Sequence, residues 1–170
     1  VHSAGVAASA YILAEKYGYN PKKAELAGWL HDCAKEMKLE EMQDIIDEQN
    51  LQVDEYMRSS RALLHGPAGS IMAKTIYGIK DRDIQNSIFF HTTGRPQMEL
   101  LDKIIFLADY IEPSRDFPGI NIIRNAQKNL DTAVLSAYDA TIRHLLDQKE
   151  YIYELTFLGR NDLIKHMGNK

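Results

Sequence analysis

Residues 27–37 read "AGWLHDCAKEM". The spacing places Leu26, Ala27 and Leu30 on the inner stripe of a helix, yet the run ends in His31-Asp32, with Lys35 one turn on. An imidazole and a carboxylate are not carried inward unpaired, because desolvating a lone charge is costly. Water, a hydrogen-bond network or a metal ion must receive them, and the rest of the chain has to say which.

Working outward, nearly every segment follows a helical period. Asn20-Pro21 ahead of this helix reads as an N-cap followed by proline at the first helical position. Upstream, Ala7, Ala10, Tyr11, Ala14 and Tyr17 recur at helical spacing, and Gly18 suits a C-terminal cap. Downstream, a helix is expected over residues 39–49. Another is expected to start at Gly66-Pro67, with His65 just ahead of it at a loop-to-helix junction. A further helix begins at Asp81 and is broken in "FFHTTGRP" (89–96) by Gly94 and Pro96. Leu101, Ile104, Ile105, Ala108 and Asp109 form the next stripe, which Pro113 ends. "EPSRDFPGIN" (112–121) is the only long loop with strong breakers. Val134, Ala137, Tyr138, Thr141, Ile142 and Leu145 then make an amphipathic helix, and a last one covers residues 154–166. Without an alternating strand, repeat or low-complexity linker, the expectation is an all-α fold in a single domain spanning residues 1–170.

With 170 residues, 45% apolar and 26% charged, the chain can bury a sizeable core. A net charge of -4 and no basic stripe argue against nucleic acid as a partner. No run is long and apolar enough for a membrane span, and no secretory signal is evident. The single cysteine, Cys33, cannot form an internal disulfide, which suits the cytoplasm. The chain opens at Val1 rather than Met, so an N-terminal piece is expected to be missing.

Four of six histidines, His2, His31, His65 and His91, fall at or near predicted helix ends. Asp32 and Asp109 join them. Asp109 has no evident cation in its own helix, since Lys103 is off its face. Any one of these histidines taken alone suits a structural hydrogen bond. The ordered series of all six points instead to metal, because imidazole and carboxylate together suit iron, manganese or zinc. An aspartate can bridge two ions, and two ions about 3.5–4 Å apart clamp a phosphate and generate hydroxide.

With "LHDCAKE", "LLHGPAG", "FHTTGR", "LADYIEPSRDFPG" and "LDTAVLSAYD", the chain resembles the HD-domain superfamily of metal-dependent phosphohydrolases. Within it the chain is similar to the bacterial YqeK-type branch, whose members split diadenosine tetraphosphate symmetrically into two ADP. The resemblance runs from "VHSAGVA" to the last long helix. It implies an HD-type helical bundle with a dinuclear site. His2, His31, Asp32 and Asp109 would hold one ion, and Asp32 would bridge to a second held by His65 and His91. Two divalent ions are implied, iron foremost, with manganese or zinc compatible, and so is a homodimer. The implied reaction is attack of a metal-bridging hydroxide on an inner phosphorus of this small-molecule nucleotide. Alternatives are another nucleotide phosphohydrolase of the superfamily and a non-catalytic nucleotide sensor.

Around that centre, Lys35 lies three residues after Asp32 and so shares its face on a continuing helix. The resemblance favours a phosphate contact over pairing with Glu36 or Glu40. Thr92, Thr93 and Arg95 follow His91, where they meet phosphate oxygens or serve the turn before Gly94. Arg115 is assigned to phosphate, whose oxygens suit its planar fork, and Asp116 orients Arg115 or caps a turn. His144 and His166 are expected to face solvent, and Trp29 to pack in the core.

Overall fold

The computed structural model describes residues 1–168, and among them there are helices but no strand. Helix α1 (His2–Tyr17) stops at Gly18, whose φ of 75° only glycine adopts without strain. Helix α2 (Pro21–Leu30) starts on Asn20, whose side-chain oxygen accepts from the backbone N–H groups of Lys22 and Lys23. The two helices touch at Gly28, where an added Cβ would lie 2.7 Å from the Ala7 Cα. The α-helix ends at Leu30, and the chain continues as a run of tight turns: Cys33 N–H bonds to Leu30, Lys35 to Asp32 and Met37 to Ala34. This i+3 period still sets Lys35 over Asp32. Leu26 and Trp29 turn outward, at 40% and 51% exposure, so neither packs in the core as expected.

Helices α3 (Leu39–Glu48), α4 (Glu55–Ser59) and α5 (Arg61–Thr75) follow. The helix expected to start at Gly66-Pro67 begins instead at Arg61, because the Ser60 hydroxyl caps the Leu63 N–H. Leu64 and Ala68 are drawn into the core one turn apart, which carries the helix through Pro67. His65 is therefore a buried mid-helix residue and not a junction. Helix α6 (Arg82–Phe89) is capped by Asp81 and meets α5 at Gly66, where an added Cβ would lie 2.6 Å from the Phe89 carbonyl. After α7 (Leu100–Ile111) the breaker-rich loop ends early, in a short α8 (Ile120–Asn125). Long α9 (Leu130–Gln148) and α10 (Glu154–Met167) complete the bundle. Short α4 and α8 carry too few periodic positions to be read from pattern alone.

Helix α7 packs against α1, α2, α6 and α9. It buries Leu101, Ile104, Ile105, Leu107 and Ala108 in the larger of two apolar clusters. Each fully buried Leu or Ile there contributes about 1.5–3 kcal/mol. The smaller cluster gathers Ala34, Met42, Ile46, Met57, Leu64, Ala68 and Tyr153. Leu30 packs on the first cluster and Ala34 belongs to the second, so His31 and Asp32 sit on the crossing between them.

Candidate metal centre

Four imidazoles and two carboxylates converge at that crossing. Asp32 Oδ2 lies 3.4 Å from both His2 Nε2 and His31 Nε2. Its other oxygen, Oδ1, lies 3.3 Å from both His65 Nε2 and His91 Nε2. Asp109 Oδ1 closes on the first pair, 3.0 Å from His2 and 3.8 Å from His31. Helices α1, α5 and α7, the turns after α2, and the end of α6 thus each deliver one or two groups. The six residues that the sequence singled out are brought together.

The rings are held so that their Nε2 atoms look inward. His31 Nδ1 donates to the Gly28 carbonyl at 2.7 Å, and His91 Nδ1 to the Ile88 carbonyl at 2.7 Å. A carbonyl only accepts, so each Nδ1 carries a proton, which leaves Nε2 as the nitrogen that offers a lone pair to a cation at the centre. His65 Nε2 and His91 Nε2 stand 3.0 Å apart, and His2 and His31 3.3 Å. Asp32 Oδ1 is buried with no donor of its own. Facing lone pairs beside an orphaned carboxylate oxygen fit divalent cations, and imidazole with carboxylate is the donor set of iron, manganese and zinc. With no cation bound, burial pushes the Asp32 carboxyl up, but His31, His65 and His91, once protonated at Nε2, donate to it, outweigh burial and hold it well below the usual range. Asp109 is likewise held low, its burial overcome chiefly by His2.

The HD domain family model matches residues 1–114, a stretch that includes all six of these residues. This chain belongs to the HD-domain family. A symmetrical bis(5'-nucleosyl)-tetraphosphatase of Halalkalibacterium halodurans is 44% identical over 164 residues, covering 96% of this chain and 87% of the relative. Its namesake in Bacillus subtilis is 38% identical over 165 residues, covering 96% and 88%. A crystal structure from Clostridium acetobutylicum, described as a predicted HD superfamily hydrolase involved in NAD metabolism, superposes with a TM-score of 0.94. It is 42% identical and covers 97% of this chain and 88% of that one.

Beside the HD pair, Lys35 Nζ lies 2.6 Å from Asp32 Oδ2, so its partner is neither Glu36 nor Glu40. Arg115 Nη2 lies 2.8 Å from Asp109 Oδ1. The Thr92 hydroxyl lies 3.2 Å from His91 Nε2 and 3.4 Å from His65 Nε2. These three and exposed Asp116 line a cleft of about 1420 Å³ that opens on His65, His91 and Asp109. Arg95 does not line it. Its guanidinium grips buried Asp102 through Nε at 2.9 Å and Nη2 at 2.6 Å, a structural clamp rather than the phosphate contact expected. Thr93 is buried and donates to the Gly94 carbonyl. His144 and His166 are exposed as expected, and His144 stands on the rim of the cleft.

Two contributors escaped the sequence reading. Buried Glu112 accepts from His2 Nδ1 at 3.1 Å and thereby orients that ring; its only sequence signal was a place in "EPSR". Arg61 donates to the carbonyls of Met37 at 2.8 Å and Lys35 at 2.5 Å, tying the turns that carry Asp32 and Lys35 to α5.

Proposed function

We propose that this chain hydrolyses diadenosine tetraphosphate symmetrically to two ADP, with two divalent cations held by His2, His31, Asp32, His65, His91 and Asp109. The carrying observation is the division of Asp32, one oxygen toward His2 and His31 and the other toward His65 and His91, which suits a carboxylate shared by two cations. Iron is the first choice and manganese or zinc would fit the same donors. Cations bound there supply Lewis acidity toward a phosphoryl oxygen and an activated water. Lys35 and Arg115, one on either carboxylate, stand ready to take the phosphate oxygens of the chain and offset charge as it develops. Thr92 offers a hydroxyl beside His65 and His91, and Asp116 follows Arg115 on the rim. Farther along the cleft, Tyr110 and Phe117 meet edge to face, ring centres 5.2 Å apart, an apolar wall of the kind a nucleoside packs on. The activity for which the 44% and 38% identical relatives are named supports this choice of substrate. A cytoplasmic homodimer belongs to the same reading, and light scattering tests the assembly.

The deciding experiment separates the products of diadenosine tetraphosphate by anion exchange after incubation with iron-loaded protein under anaerobic conditions. ADP alone, absent with Asp32→Ala, is the expected result. AMP with ATP would move the attacked phosphorus. No product from protein that binds its metal would overturn the substrate, and a panel of nucleoside phosphates would then find the replacement.

A further inference from the structure

Arg124, on α8, donates from Nε to the carbonyl of Ile111 at 3.1 Å. From Nη2 it donates to the carbonyls of Glu112 at 3.0 Å and Arg115 at 3.1 Å. All three bonds go to backbone. They join the last residue of α7 to both ends of the turn that Arg115 N–H closes on the Glu112 carbonyl at 3.0 Å. That turn aims two side chains at the centre: Glu112, whose Oε1 is 3.1 Å from His2 Nδ1, and Arg115, whose Nη2 is 2.8 Å from Asp109 Oδ1. A cation at the C-terminus of α7 is favoured by the helix dipole, and a lysine would serve for that. Here two nitrogens at the fixed spacing of a guanidinium, Nε and Nη2, share the three carbonyls, an arrangement the single nitrogen of a lysine does not reproduce.

We propose that Arg124 is a positioning residue for the centre. It acts through Glu112 on the His2 ring and through Arg115 on the phosphate contact. The second arm rests on the phosphohydrolase reading; the first does not.

The test is a pair of double-variant cycles. Mn²⁺ is titrated calorimetrically into metal-stripped wild type, Arg124→Gln, Glu112→Gln and the combination. Each single variant should weaken binding at the site that includes His2 by about tenfold or more, the usual loss for a residue that orients a ligand. The combination should be no weaker than Glu112→Gln, because the two act in series. In steady-state hydrolysis of diadenosine tetraphosphate, Arg124→Gln should raise KM as Arg115→Gln does, and that combination again should not multiply the loss. Arg124→Lys keeps the charge without the fork and should resemble Arg124→Gln in both assays. If Arg124→Gln lost its near-ultraviolet circular dichroism, Arg124→Lys would carry the same comparisons. Wild-type Mn²⁺ affinity in a folded Arg124 variant, or losses that multiply in the combinations, would overturn the proposal. A wild type that binds Mn²⁺ yet leaves the dinucleotide intact would sink the substrate reading and leave Arg124 to be judged on the Mn²⁺ cycle.

Discussion

Each oxygen of Asp32 has two imidazole nitrogens for neighbours, and Lys35 closes on one of them. Removing the carboxylate withdraws the one group that faces both halves of the centre. Charge stabilisation by such ions is worth several kcal/mol, so Asp32→Ala should lower turnover by about a thousandfold or more. Calorimetry should also find fewer bound Mn²⁺ per chain. His2 sets the pH dependence. The Asp109 carboxylate at its ring raises its pKa above the ordinary imidazole value, with burial opposing and Glu112 adding to the rise. Asp32 and Asp109 stay ionised across that range, so the proton on His2 is the competitor for a metal. Mn²⁺ affinity should weaken as pH falls through the His2 pKa, by up to about tenfold per pH unit below it. A flat profile between about pH 8 and pH 6 would count against His2 as a ligand. Arg95 answers a different question. Burial raises the Asp102 pKa against the pull of Arg95, and removing that cation leaves a buried carboxylate unpaired. Arg95→Met should cost about 3 kcal/mol near neutral pH. The sign follows from a folded pKa above the unfolded one: stability is lost as pH rises between the two, so the deficit shrinks toward about pH 5. Urea melts at the two pH values measure it.

Helices meet closely where they carry the converging histidines. Gly28 lets α2 lie on α1, which carries His2, and Gly66 lets α5 lie on the end of α6, next to His91. Alanine is the better helix former by about 1 kcal/mol, yet at Gly66 its Cβ would fall 2.6 Å from a backbone oxygen that cannot turn away. Overpacking therefore wins. Gly66→Ala should destabilise by about 1–3 kcal/mol in urea and weaken Mn²⁺ binding, since α5 and α6 must separate and take His65 from His91. Helix α5 also marks the limit of reading elements from sequence. Gly66-Pro67 resembles a helix start, but the Ser60 cap and the burial of Leu64 and Ala68 carry the helix through the proline. A proline penalty is local, whereas the apolar contacts that overcome it lie on other elements.

For the whole molecule, the centre ties the large apolar cluster around α7 to the smaller one under α3 and α5. Cations bound at the crossing should therefore stabilise the entire fold. At about a hundred times its dissociation constant, Mn²⁺ should add about 2.7 kcal/mol, a rise in Tm of about 5–10 °C for a chain of this size. Differential scanning fluorimetry with Mn²⁺ and with EDTA measures it, and Asp32→Ala should lose most of the rise. An unchanged Tm in wild type would mean that the six residues do not form a metal site.

Local pattern was enough for the all-helical architecture and for singling out the six side chains that converge, because helix period, caps and the chemistry of histidine and aspartate are carried by single residues and near neighbours. That Lys35, Thr92 and Arg115 stand beside these side chains was legible too, from their place in the chain and from the family resemblance. The pairing of histidines across Asp32, His2 with His31 and His65 with His91, came from the family resemblance and not from local pattern. The turn of Arg95 onto Asp102, the support of His2 by Glu112, and the three carbonyls under Arg124 were not legible. His2 and Glu112 stand 110 residues apart in the chain and 3.1 Å apart in space. A contact of that kind comes from packing helices at one particular distance, and only the folded bundle sets it.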